Sequence, residues 1–355
     1  MVAERTFIRS DVIVLALAAA LVVAAGLAHF AEWNAVVAFV VAAGAVTVLA
    51  SVVGRSVEQL GDRFGPGATG VLQSALGNLP ELFICIFALR AGLDEVVKAA
   101  LVGSILANLL LVLGLAFLVG GLRHGPQKLG SERARTIAMM MMLSVAAMAI
   151  PSLAHWLHTP AEQHETTFSV ICAVALLILF FLSLPSSLKR TDEDGQVHGQ
   201  APRWPVAVAV GLLAVASVAA AFVSDWFVEA LQPAMESLGV SEVFAGLVVV
   251  AIAGNAIENI VGVQLAARGQ SQYAFAVVLN SPIQIALALA PALVLISVIF
   301  GMTTLTLVFS PLLVVCLLLA VILATIITVD GESNWIEGAA LIVLYVVIAT
   351  AFYWG

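Results

Sequence analysis

The sequence predicts an all-α polytopic membrane protein of about eleven transmembrane helices, organised as an inverted repeat. Three observations carry that expectation. The 355 residues are 62% hydrophobic and only 10% charged, with a mean hydropathy of +1.12, a composition that no soluble domain covers with polar surface. Apolar runs long enough to cross about 30 Å of hydrocarbon recur along the whole chain. Two short motifs, Gly77-Asn78-Leu79-Pro80-Glu81 and Gly254-Asn255-Ala256-Ile257-Glu258, each set one glutamate deep inside such a run.

In chain order the runs lie near 11–28, 34–54, 66–90, 96–121, 134–156, 166–188, 205–224, 240–267, 272–299, 304–327 and 335–354. The first follows Arg5 and Arg9 but exceeds the apolar core of a signal peptide, so residues 1–30 are read as an anchor helix. Trp33, Trp156, Trp204, Trp226, Trp335 and Trp354 fall at span ends, where an amphipathic ring favours the lipid–water boundary. Basic residues crowd the loops on the N-terminal side, among them Arg55, Arg123, Lys128, Arg190 and Arg203, against Arg90 and Lys98 on the other. The N-terminus is therefore expected in the cytoplasm and, with an odd number of spans, the C-terminus outside it.

The hydrophilic stretch 191–204, with Asp192, Glu193 and Asp194, separates a first half (31–190) from a second (205–355). A solvated linker is the simplest reading, and a cation-sensing acidic loop the sharper one. A net charge of -8 with no basic stripe leaves nucleic-acid binding without support. Cys85, Cys172 and Cys316 sit in apolar runs without paired spacing and read as packing residues, as does the Met139–Met142 run. His155, His158, Glu162, His164 and Glu165 fall in a polar loop, read as hydrated surface rather than a metal site.

Gly254, Asn255 and Glu258 each follow Gly77, Asn78 and Glu81 by 177 positions, and the same step carries Ser104 onto Ser281. About five spans separate the two motifs, so the motif helices run in opposite directions, the arrangement in which secondary transporters place a site near the bilayer midplane. A carboxylate at that depth costs at least about 3 kcal/mol on insertion scales, which makes Glu81 and Glu258 functional candidates. On helices, Asn78 shares a face with Glu81, Asn255 with Glu258, Ser104 with Asn108 and Ser281 with Gln284. All offer oxygen, the donor that hard cations such as Ca2+ prefer. Gly77 and Gly254 permit close approach of backbone, and Pro80 and Pro282 inside helices free upstream carbonyls as further ligands. Without a cation, desolvation and mutual repulsion favour protonated carboxyls; a cation displaces the protons, so one set of oxygens carries either.

These residues also carry a resemblance. Glu58-Gln59-Leu60, Gly65-Pro66, Gly77 to Leu82, Val96-Val97-Lys98, Gly103 to Leu106 and Asn108 to Gly114 resemble the first repeat of the calcium/proton exchanger (CAX) family of Ca2+/cation antiporters. Glu236 to Glu242, Gly254 to Glu258 and Ile283 to Leu287 resemble its second. The resemblance implies one extra N-terminal helix ahead of two inverted five-helix halves, and an antiporter of a prokaryotic plasma membrane that exports Ca2+ against entering H+. It implies Glu81 and Glu258 as the cation- and proton-carrying pair, with Asn78, Asn255, Ser104, Asn108, Ser281 and Gln284 as supporting ligands, and no bound cofactor. Two departures stand out. Asn259 replaces the histidine usual after the second glutamate, and Asn280-Ser281-Pro282 stands where Gly-Ser-Ser is usual. They keep Na+ or K+ exchange for H+ as the alternative. An intramembrane enzyme is disfavoured because no nucleophile–base set or HExxH pattern occurs, and a channel is the other remote reading.

Overall fold

The computed structural model describes residues 7–64, 76–129, 131–193 and 203–354, and their side chains except at 62–64, 131–134, 185–193 and 256–258. The described residues form α1 (Arg9–Phe30), α2 (Ala35–Phe64), α3 (Leu79–Arg90), α4 (Asp94–His124), α5 (Ser131–Trp156) and α6 (Glu165–Glu193). After the linker come α7 (Val206–Leu238), α8 (Glu242–Gly254), α9 (Ala256–Ala267), α10 (Ser271–Ile299), α11 (Pro311–Thr328) and α12 (Trp335–Tyr353). Among the described residues nine helices are long and apolar enough to span a membrane, and α8 with α9, bent by 60° at the motif, makes a tenth. The remaining expected span, 66–90, is represented by α3, since 65–75 lie outside the described residues. Among the described residues one element departs from helix: a two-residue antiparallel ribbon pairs Gln127–Lys128 with Glu332–Ser333.

The 177-residue step seen in the motifs carries α3, Leu79–Arg90, onto α9, Ala256–Ala267, end for end. It also carries the π-helical turn Ala107–Val112 of α4 onto the π-helical turn Ile285–Leu289 of α10, to within one residue. A shared irregularity of this kind is a stronger mark of duplication than shared apolarity, because π-turns are rare and tend to sit at functional positions.

Two compact units are present, residues 1–87 with 181–239 and residues 88–180 with 240–355. In the first, α1, α2 and α7 pack together, with Phe39 of α2 stacked on Phe227 of α7 at 4.8 Å. Asp11, 2% exposed, accepts from Arg55 Nη1 at 2.7 Å, and Gln59 Oε1 accepts the backbone N–H of Arg203 (2.7 Å) and of Trp204 (3.0 Å). Trp204 is consequently buried against Leu60 and Ala209, two residues before α7 begins.

In the second unit α4 crosses α8 at backbone contact: a Cβ on Gly103 would stand 2.2 Å from the Leu247 carbonyl oxygen, and one on Gly246 2.4 Å from that of Val96. Gly114 and Gly338 make the equivalent close approach between α4 and α12. Small residues at crossings are how membrane helices gain packing area. The expected span 304–327 begins instead at Pro311, preceded by an extended segment whose Leu305, Leu307 and Phe309 are buried. Its backbone groups are met by side chains of neighbouring helices: Leu305 N–H donates to Ser297 Oγ (3.0 Å), Leu307 N–H to Ser169 Oγ (2.9 Å) and Phe309 N–H to Ser152 Oγ (2.9 Å). Such a segment is tolerated at membrane depth only with such partners.

Gly103→Ala and Gly246→Ala should each lower stability by about 1–3 kcal/mol, read as earlier loss of the monodisperse peak on heating in detergent. Gly211→Ala, where nothing lies within 4 Å of the added methyl, should leave the transition unchanged or raise it.

Candidate functional site: a broken-helix polar cluster

The motifs do not continue helices, as face-sharing arguments assume; they start them. Gly77 and Asn78 form a turn, α3 begins at Leu79, and the Leu82 N–H closes on the Asn78 carbonyl at 2.9 Å. Asn78 is thus the N-cap residue and Glu81 the third helical position. Pro80 occupies the first turn, where its missing N–H leaves no ladder bond unmade, so it does not interrupt a helix interior. Glu81 is 1% exposed, and the positive end of the helix dipole favours a carboxylate in that first turn.

The second motif repeats the break. Gly254 ends α8, Asn255 caps α9 with φ -105° and ψ 16°, and the Asn259 N–H closes on the Asn255 carbonyl at 3.1 Å. The Asn255 side chain does not fold back onto its own helix start. Its Nδ2 donates to Ser104 Oγ (2.8 Å) and the Ala251 carbonyl (3.1 Å), and its Oδ1 accepts from Ser281 Oγ (3.2 Å) and Asn108 Nδ2 (3.4 Å). Asn108 Nδ2 also donates to the Ser104 carbonyl (2.9 Å) and lies 3.4 Å from Ser281 Oγ.

Four of the expected ligand residues, Ser104, Asn108, Asn255 and Ser281, therefore meet in one buried cluster. Gln284 is buried one turn beyond Ser281 on the same helix. Pro282 lies inside α10 just before its π-turn. The donors of Asn108 are committed while its Oδ1, wholly buried, has no hydrogen bond among the described residues, and the same holds for Asn259 Oδ1. Buried amide oxygens without a donor are what a hard cation seeks. Gly77, Asn78, Pro80 and Glu81 belong to the first unit. The side chains of Glu258, Asp192 and Glu193, and Asp194 altogether, lie outside the described residues.

Elsewhere, His158 Nδ1 pairs with Glu162 Oε2 at 3.0 Å and His155 Nδ1 with Glu165, and no group of three or more His, Cys, Asp or Glu side chains is arranged to hold a metal among the described residues. Sequence reasoning passed over Asp11, which the argument applied to the glutamates would have flagged: an acid opening an apolar run needs a partner. It has one in Arg55.

Asn255 and Ser281 should be energetically coupled. A double-mutant cycle of Asn255→Ala and Ser281→Ala on thermal unfolding is expected to give a coupling of about 0.5–1.5 kcal/mol; additive losses would remove the cluster's claim to act as a unit.

The family described as sodium/calcium exchanger protein matches residues 34–188 and 208–354. The chain is 35% identical over 346 residues to the Ca2+/H+ antiporter of Aphanothece halophytica, covering 92% of each. It is 33% identical over 335 residues to the Ca2+/H+ antiporter ChaA of Bacillus subtilis, covering 91% of this chain and 93% of that one. A solved structure of the Ca2+/H+ antiporter protein YfkE superposes with a TM-score of 0.83 at 32% identity, over 96% of this chain and 99% of that one. The duplicated motifs, the paired π-turns and these matches together make the chain a member of the sodium/calcium exchanger family of membrane transport proteins.

Proposed function

We propose that the protein is a secondary antiporter that moves Ca2+ across the membrane in exchange for H+, with Glu81 and Glu258 taking up cation and protons by turns. The observation that carries this reading is Glu81 itself, a carboxyl side chain 1% exposed in a membrane-spanning chain. A group held there is costly unless it has work to do. The cluster around Asn255 supplies neutral oxygens, and relatives at 33% and 35% identity are Ca2+/H+ antiporters.

In this reading the carboxyls compete for two kinds of cargo. Protonated, they are neutral and lie easily in an apolar surrounding; ionised, they need a divalent cation to offset their charge. Asn78, Asn255, Ser104, Asn108, Ser281 and Gln284 complete the cation's shell with neutral oxygens, which lets the site hold a dication without adding net charge. Alternating exposure follows from movement of one repeat against the other. The basic loops set the N-terminus in the cytoplasm, so Ca2+ leaves the cell as protons enter. The acidic residues 192–194 are kept as a regulatory cation contact. The Na+ or K+ alternative rested on Asn259 and Asn280, and the relatives named above lend it no weight.

Reconstituted vesicles bearing a pH gradient test this directly. Ca2+ should dissipate the gradient, Na+ and K+ at equal ionic strength should not, and Glu81→Gln and Glu258→Gln should each bring the Ca2+-dependent flux down by at least about 100-fold. Parental flux in both variants would end the proposal. Asn259→His should shift the pH profile of transport, since it adds a group that titrates near neutrality.

A further inference from the structure

At the end of α1 remote from the N-terminus, an open cavity of about 460 Å3 is formed within the first unit by α1, α2 and α7. Phe30, Trp33 and Trp226 line it together with Glu32, Glu229 and His29. We propose that this cavity binds an organic ammonium group, supplied by a lipid headgroup amine or by a free soluble amine.

The rings and charges are arranged for that chemistry. The His29 ring lies on the Trp226 indole, centroids 5.4 Å apart at 18°, and Phe30 meets the same indole edge-on at 5.8 Å. Gly26 on α1 makes room for the indole, since a Cβ there would come within 3.3 Å of it. His29 Nδ1 is 3.2 Å from Glu229 Oε2, and Glu32 adds a second carboxyl group to the same lining. Aromatic faces beside carboxylates attract ammonium groups. The volume lies within the range of small-molecule sites and far exceeds the needs of a bare ion.

Glu32 takes φ +49° as the left-handed residue that ends α1, its N–H on the His29 carbonyl (3.3 Å) and that of Trp33 on the Ala28 carbonyl (3.0 Å), and the turn sets an acidic side chain in the cavity wall. One further observation points the same way. The cavity lies at the ends of apolar runs, where span length puts the headgroups. It opens where α1 ends at Phe30 and α2 begins at Ala35, and beside the part of α7 where Asp225 and Glu229 follow the apolar stretch 206–224.

Native mass spectrometry of the detergent-purified protein, offered equal amounts of phosphatidylethanolamine and phosphatidylglycerol with matched tails, provides the test, alongside titration of tryptophan fluorescence with free ethanolamine. The parent should retain phosphatidylethanolamine at least about threefold over phosphatidylglycerol. The preference should vanish in Glu32→Gln/Glu229→Gln, and separately in Trp226→Leu, while the thermal transition of the Gln variant stays parental. That outcome assigns a lipid source. A saturable ethanolamine response lost in the Gln variant, without lipid preference, assigns a soluble amine. Equal retention of the two lipids with no ethanolamine response, or effects that survive in both variants, would overturn the site.

Discussion

Every polar group placed in hydrocarbon has to find its partner inside the protein, and the irregular parts of this fold are where that demand is met by side chains instead of by a helical ladder. Around Leu305–Phe309 the backbone leaves helical geometry and three serines from other helices accept its N–H groups. At Asn255 the helix breaks, and the side chain that might have capped the new start is spent on Ser104, Ser281 and Asn108. The breaks and the polar cluster answer one constraint. A chain that interrupts a helix at membrane depth must surround the gap with hydrogen-bonding residues, and those residues become available to an ion.

The same constraint explains why π-turns recur at Ala107–Val112 and Ile285–Leu289. A π-turn widens the helix by one residue and redirects the side chains on either side of it. Asn108 sits within the first turn and Gln284 immediately before the second, which aims amides from α4 and α10 at buried positions. The device recurs 177 residues apart to within one residue, and α8 carries a further π-turn at Ala245–Val250.

Much of this was legible in the residues. Apolar length located the spans, because the thickness of a bilayer leaves little freedom, and the 177-residue register pointed to the duplication that the helices and π-turns display. Spacing paired Ser104 with Asn108 and carried Ser104 onto Ser281; their grouping with Asn255 as one set came from the family resemblance. The helix breaks were not legible. Gly-Asn inside an apolar run is compatible with either a continuing helix or a turn, and only the cap at Asn78 and the early place of Pro80 decide it. Trp204 stands at a span end, but its packing inward, with its backbone N–H on Gln59 and its ring on Leu60, is a tertiary effect that no local pattern signals. The extended segment before Pro311 escaped notice because its apolar residues read as membrane whichever backbone they adopt. Asp11 was legible and passed over, since its partner Arg55 lies 44 residues away.

The account of transport rests on one set of oxygens serving two cargoes. The most direct measurement is the number of protons released per Ca2+ bound, taken by calorimetry in buffers of differing ionisation enthalpy across a range of pH. Competition predicts that Ca2+ binding expels protons at low and neutral pH and that the number falls toward zero as pH rises and the carboxyls ionise unaided. Ca2+ binding with no proton release at any pH would contradict it.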